Sequence, residues 1–307
     1  MSEKAQLVVE GKKLAVSNLN KVLYPKVGFT KGQVIDYYIR IAPVLLPHLR
    51  DRPLTMKRYP NGVDKEFFYE KNCPSHRPTW VKTAKVWSEG NNRIMHYCLA
   101  QDLPTLVWAA NLADLELHTS LARKKDVSRP TMMVFDLDPG PPADIVQCCQ
   151  VGLWLRELLS AMKLKSFPKT SGSKGLQIYV PLNTPVTFDQ TKAVSLALAQ
   201  HLEHEHPKLV LSKMAKALRK GKVFVDWSQN DEHKTTICVY SLRAKEEPTV
   251  STPLTWDEVQ KCLKKKKADL LRFRCDQTLA RVQKMGDLFE PVETLKQKLP
   301  RKLELTG

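Results

Sequence analysis

Apolar positions along the chain follow two periods. After Thr30, Val34, Tyr37, Tyr38 and Ile41 recur at helical spacing, and residues 145–162 repeat the pattern as a second amphipathic stretch. Thr30 with Gln33, Thr187 with Gln190, and Thr255 with Glu258 each place a hydroxyl three residues before a Gln or Glu at the head of such a stretch. The hydroxyl can accept from the third residue's N–H while the longer side chain reaches back, so each pair predicts a helix start. Between these segments, residues 131–137, 176–182 and 222–227 are short runs rich in β-branched or aromatic residues and bounded by Gly, Pro or Asp. They predict strands. The order is mixed α/β (α+β). With no internal repeat and no low-complexity linker, the chain reads as a single domain over 1–292 followed by a frayed tail over 293–307.

Composition adds a partner class. The 307 residues are 42% hydrophobic, enough for a sizeable core, and 49 Lys and Arg against 32 Asp and Glu leave a formal charge of +17. Such a balance calls for a polyanion, either nucleic acid or an anionic membrane surface. No run approaches the roughly 18 apolar residues of a membrane span, and residues 1–10 lack the basic-then-apolar order of a signal peptide. A soluble intracellular protein with no membrane partner is expected. Seven cysteines without a C-x-x-C spacing point to a reducing compartment, most of the thiols packing as small apolar groups. His201, His204 and His206 lie among glutamates at the end of a helix-like segment, as a solvated surface rather than a zinc site.

The chemistry concentrates where hydrophobic runs end in acid. Met132-Met133-Val134-Phe135 leads into Asp136-Leu137-Asp138-Pro139-Gly140, and strand alternation points both carboxylates to one face with Leu137 opposite. Two carboxylates so close repel each other unless a cation or hydrogen bonds offset the charge. A turn opened by two exposed aspartates is the plainer alternative. Val223-Phe224-Val225 ends likewise in Asp226. Three carboxylates from two strands suit a two-metal phosphoryl-transfer site, in which one ion activates an attacking hydroxyl and the other steadies a triphosphate.

Basic and hydroxyl groups accompany them. Lys169-Thr170-Ser171-Gly172-Ser173-Lys174-Gly175 is a turn able to cradle phosphate, or an ordinary surface turn; its spacing is not that of a P-loop. Residues 212–222 carry Lys213, Lys216, Arg219, Lys220 and Lys222, and residues 261–267 hold five lysines. Both runs suit either backbone phosphates or a solvated helix face. Phe67, Phe68 and Tyr69 are candidates for base stacking or for the core.

Taken together, these strings closely resemble the polymerase domain of ligase D, in the archaeo-eukaryotic primase superfamily. The resemblance runs over about residues 10–292. It is carried by Asn18-Leu19-Asn20-Lys21-Val22-Leu23-Tyr24-Pro25, Lys57-Arg58-Tyr59-Pro60-Asn61-Gly62, Glu116-Leu117-His118, Phe135-Asp136-Leu137-Asp138-Pro139, Thr170-Ser171-Gly172-Ser173-Lys174-Gly175-Leu176, Val225-Asp226-Trp227-Ser228-Gln229-Asn230 and Tyr240-Ser241-Leu242-Arg243-Ala244. It implies a primase-polymerase fold with central β-sheets flanked by helices. The implied activity is that of a template-directed DNA/RNA polymerase of prokaryotic non-homologous end joining, extending 3′ ends and filling gaps with a preference for ribonucleotides.

By similarity, Asp136, Asp138 and Asp226 bind two Mn2+ or Mg2+ ions, with His118 beside them in the catalytic centre. Lys57, Ser171, Lys174, Gln177, Gln229 and Arg243 hold the incoming NTP or dNTP; Asn18, Lys21 and Lys31 recognise a downstream 5′ phosphate; Phe67 or Phe68 braces the template. Gln177 departs from the Gly-Leu-His ending of many relatives, though an amide still offers a neutral hydrogen bond. DNA ends, gapped DNA, a Ku-like end-binding protein and a DNA ligase are the implied partners, with a dimer able to bridge two ends, in the cytoplasm at the nucleoid. A replicative primase-like enzyme is the nearest alternative. A haloacid-dehalogenase-like phosphatase does not account for Pro139-Gly140 or the basic segments, and a non-catalytic end-binding module leaves three strand-end carboxylates facing a phosphate backbone.

Overall fold

The computed structural model describes residues 4–300. They form two compact units, one of residues 4–127, Thr235–Ser251 and Phe273–Asp287, the other of Ser128–Lys234, Thr252–Arg272 and residues 288–300. The chain passes from one to the other repeatedly with no linker-like composition at the crossings. The domain expected over 1–292 and these two units therefore divide the same chain on different criteria.

In the first unit the strands Thr236–Ile237, Asp114–Thr119, Leu54–Arg58, Arg93–Cys98 and Thr83–Ser88 pair in that order, and Phe68–Glu70 adds a further partner to Leu54–Arg58. The helix Lys31–Leu49 starts as its sequence predicts: Thr30 accepts from the Gln33 N–H and the Gln33 side chain accepts from the Thr30 N–H. Its Val34, Tyr37, Tyr38, Ile41 and Leu45 are buried. The aliphatic Val34, Ile41 and Leu45 each favour folding by roughly 1.5–3 kcal/mol over exposure. The two tyrosines also satisfy distant carbonyls, Tyr37 Oη donating to Tyr240 O at 2.7 Å and Tyr38 Oη to Leu115 O at 2.8 Å. Cys73 and Cys98 form a disulfide, a pairing not expected from the spacing of the cysteines, while Cys148, Cys149, Cys238 and Cys262 are buried thiols as anticipated.

The second unit is built on Phe167–Thr170, Leu176–Pro181, Met132–Pro139, Val223–Asp226 and Val210–Leu211, in that order. Only the last pair is parallel. The three strands expected here are present to within two residues at each end. The helix Ile145–Ala161 lies close against this sheet, since a Cβ on Gly152 would stand 3.0 Å from a Leu176 methyl and 3.2 Å from one of Ile178. Phe188–Glu205 and Trp256–Lys265 both open with the capping boxes read from Thr187 and Thr255. His204, at the end of the former, is exposed and His206 stacks on Trp154, in keeping with a surface cluster.

Residues 212–222 are helical only in the short 3-10 turn Lys216–Leu218. Part of the expected tail is anchored: Gln297 donates through Nε2 to Pro181 O and Lys165 O and through its backbone N–H to Leu182 O. Residues 301–307 of that tail lie outside the described residues. Among the described residues, no helix is long and apolar enough to cross a membrane.

Candidate active site

The antiparallel ladder of the second unit sets Asp136 directly opposite Asp226, with Gln177 opposite Asp136 on its other side. Asp136 and Asp138 share the half-buried face while Leu137 between them is buried, so the alternation read from the sequence holds. Burial, then the charges of Asp226 and Asp138, push the Asp136 acid up to about 6; a hydrogen bond from Gln177 and the charge of Lys169 pull the other way.

The other two carboxylates are engaged. Asp138 takes Lys174 Nζ on one oxygen and Arg219 Nη1 on the other, both at 2.9 Å. Asp226 accepts from the Ser228 N–H and hydroxyl on one oxygen and from Gln229 Nε2, at 3.0 Å, on the other. As they stand, no three His, Cys, Asp or Glu side chains among the described residues form a ready metal-ligating group. The donor set still suits a hard divalent ion: three carboxylates at the ends of two adjoining strands, two of them directly opposite in the ladder.

The turn before Leu176 is closed on itself. Ser171 Oγ accepts from the Gly175 N–H at 3.1 Å and the Ser173 N–H at 3.2 Å, and the Ser171 N–H reaches Gly175 O at 2.9 Å. A Cβ on Gly175 would fall 2.4 Å from Leu137 O, so only glycine allows the turn to lie this close to the aspartate strand. Lys174, which also donates to Pro139 O, is thereby carried to Asp138. Gln177 is buried and faces Lys169 and Asp136.

In the first unit the nucleotide-site expectations gather around a residue to which the sequence reading gave no role. Glu116 and His118 stand two apart on one strand face, and Lys57 is opposite Glu116 in the ladder. Glu116 Oε2 lies 3.0 Å from His118 Nε2 and 3.4 Å from Lys57 Nζ; Oε1 lies 3.3 Å from Arg243 Nε and accepts from the Ala244 N–H at 3.0 Å. Burial pushes this carboxyl up, but the His118 hydrogen bond and the charges of Arg243, His118 and Lys57 outweigh it and hold the group far below the usual range. His118 is lowered, by burial first and against the pull of Glu116, and because an ionised carboxylate only accepts, its Nε2 donates to Glu116. Lys57 Nζ is further enclosed by Phe67, Tyr59 and Tyr69, 4.3, 5.3 and 5.5 Å from the ring centres. The loop bearing Arg243 is held by Ser241 Oγ on the Leu117 N–H and by Tyr24 Oη on Arg243 O.

Of the residues expected to take a 5′ phosphate, Lys21 donates to Asn61 at 2.9 Å and Lys31, nearly buried, donates to Ser17 O at 2.7 Å. Burial, then Lys21 and Arg58, push the Lys31 ammonium down to about 8. The Lys31 and Gly32 N–H groups bond Lys21 O and Leu19 O, so the helix start here closes onto its own loop and the lysine charges are what remain for an anion. Asn18 holds the loop in a left-handed conformation, φ 55°. Phe67 and Phe68 are 48% and 43% exposed, accessible to a base rather than in the core. The sequence reading also gave no separate role to Arg219, one cation within a basic run, or to Lys169. The signal for Glu116 was present, since it shares a strand face with His118.

A family profile described as "LigD, primase-polymerase domain" matches residues 30–289. The chain is 41% identical over 283 residues to the multifunctional non-homologous end joining protein LigD of Mycolicibacterium smegmatis, across 92% of this chain and 36% of that protein. It is 34% identical over 275 residues to the bifunctional non-homologous end joining protein LigD of Bacillus subtilis, across 89% of this chain and 43% of that one. It thus spans well under half the length of the curated relatives it matches. The solved polymerase domain from Mycobacterium tuberculosis ligase D in complex with DNA is similar with a TM-score of 0.85 at 39% identity, over 92% of this chain and 99% of that one. The family and the mixed α/β fold read from the motifs are borne out.

Proposed function

The chain belongs to the LigD primase-polymerase family, and from that premise we propose that it extends 3′ ends and fills gaps at DNA breaks. Polymerase domains of this family are nucleotidyltransferases, which require a divalent metal and nucleoside triphosphates. Asp136, Asp138 and Asp226 would hold two such ions, Mn2+ or Mg2+. The observation that carries this is the pairing of Asp136 with Asp226 across the ladder, charge against charge, with Asp138 two residues on. When bound, the metal lowers the pKa of the attacking 3′ hydroxyl and neutralises charge on the triphosphate. Lys174 and Arg219 offset Asp138 meanwhile, and Ser228 and Gln229 fix the orientation of Asp226.

Lys57 and Arg243 are assigned to the triphosphate, and His118, hydrogen-bonded to Glu116, is assigned to the catalytic group as the resemblance implies. Ser171 is assigned to the incoming nucleotide with them, and a preference for ribonucleotides would rest on a polar group that bonds the 2′ hydroxyl. Lys21 and Lys31, with Asn18 shaping their loop, take the downstream 5′ phosphate, while Phe67 and Phe68 offer faces to the template. The solved relative's complex with DNA supports DNA as the polyanion that +17 calls for. A Ku-like end-binding protein, a DNA ligase activity, bridging of two ends by a dimer, and a cytoplasmic, nucleoid-associated setting complete the reading.

The test is extension of a labelled primer on a gapped duplex bearing a 5′ phosphate, with Mn2+ or Mg2+ and separate NTP and dNTP pools. Wild type is expected to extend, fastest with NTPs. Asp136→Ala and Asp226→Ala should abolish extension yet bind the gapped DNA as wild type does. Normal extension by either aspartate variant would overturn the metal assignment, and no extension by wild type with any metal would overturn the activity.

A further inference from the structure

A buried ammonium is costly unless its donors are met, and Lys169 is fully buried. It sits in a row that runs straight across the sheet: Lys169 is opposite Gln177, Gln177 opposite Asp136, and Asp136 opposite Asp226. Lys169 Nζ donates to Gln177 Oε1 and lies 5.3 Å from the centre of the Tyr179 ring. The Gln177 side chain is hydrogen-bonded in turn to Asp136.

The chemistry of these groups fixes the direction of the chain of bonds. An ammonium has donors only, so the amide oxygen of Gln177 must face Lys169; the opposite setting would put NH2 against NH3+. The NH2 end is then directed at Asp136, whose ionised carboxylate only accepts. Repulsion from Asp226 and Asp138 tends to turn that carboxylate away, and a donor anchored on one oxygen restrains it. Gln177 has little surface left for any other ligand, being almost wholly buried.

We propose that Lys169 and Gln177 are positioning residues for the metal carboxylates: Lys169 locks the amide of Gln177, and the amide holds Asp136 in the orientation that receives metal. Gln177 then serves the carboxylate, not the triphosphate to which the family resemblance assigned it. The inference rests on the reading that Asp136 binds metal, and its test separates the two.

Binding of Mn2+ alone to the whole chain, without nucleotide or DNA, is measured by electron paramagnetic resonance of the free ion, beside the kcat and nucleotide KM of extension and a thermal unfolding curve. Gln177→Leu removes both bonds at similar volume. It should weaken Mn2+ binding roughly ten-fold or more and lower kcat, with nucleotide KM little changed. Gln177→His should recover most of the affinity, because a neutral imidazole accepts on one nitrogen and donates on the other. Lys169→Met should follow Gln177→Leu; if it does not fold, the contrast between Gln177→Leu and Gln177→His decides. Wild-type Mn2+ affinity in Gln177→Leu with a raised nucleotide KM overturns the inference and returns Gln177 to the triphosphate. Wild-type affinity in Asp136→Ala overturns the metal reading and the inference with it, whereas loss in Asp136→Ala alone overturns only the inference.

Discussion

Lys31 carries its charge where charge is expensive, and this makes it sensitive to pH. Its ammonium is pushed down to about 8, so below that value folded and unfolded chains both hold the proton. Between about 8 and the ordinary 10.5 the folded chain gives it up first, and stability rises with pH across that window. Recognition of a 5′ phosphate should move the opposite way. The advantage that a 5′ phosphate gives to gap binding is expected to fade as pH passes from 7 to 9, and Lys31→Arg, whose guanidinium keeps its proton, should retain it at pH 9. A pH-independent advantage in wild type would show that Lys31 does not carry it. Glu116 has the converse sign. Its carboxyl is held below the usual range, so its contribution is complete above the ordinary glutamate value and is withdrawn only as pH falls through the depressed one. Glu116→Gln leaves Lys57 and Arg243 without their shared anion, and should cost roughly 1–3 kcal/mol in denaturant unfolding. Nucleotide KM should rise more than kcat falls, and an unchanged KM would show that the cluster does not organise the nucleotide.

At the scale of elements, local chemistry was legible and long-range pairing was not. The helix starts at Thr30, Thr187 and Thr255 are written in residues three apart, and the aspartate strand in a two-residue alternation; both patterns need only near neighbours to take effect. Glu116 meets Arg243, and Arg219 meets Asp138, because loops far along the chain fold back, and nothing in either local string states the partner. The same holds for Cys73 and Cys98. The Ser171 to Gly175 turn shows how an element can be recognised correctly and its mechanics missed. Its glycines suggested room for a phosphate, whereas Gly175 is required by contact with Leu137 O. Gly175→Ala is therefore expected to push the turn off the aspartate strand, at about 1–3 kcal/mol in chemical denaturation. Extension should fall with it, since Lys174 would leave Asp138. Full stability and activity in this variant would show that the close approach is dispensable.

For the whole molecule, charge and chain order matter more than any one contact. With +17 spread over 307 residues, DNA affinity should depend steeply on salt, falling at least about ten-fold from 50 to 200 mM if only two or three phosphates are neutralised. A titration of fluorescent gapped duplex would measure the slope, and a flat response would remove the electrostatic account of binding. The two units are each assembled from three separate stretches of chain, so neither can complete its set of segments until late in the sequence. Strands must then find partners over long separations, and misalignment is the hazard of such assembly. Here the alternation of Asp136, Leu137 and Asp138 has a second use. Sliding that strand by one residue would drive two carboxylates into the apolar interior and turn Leu137 out to water, an error too unfavourable to persist. The acids proposed to hold metal thus also proofread the sheet that carries them, and a variant that neutralises both should reach its native alignment less faithfully even where its final fold is intact.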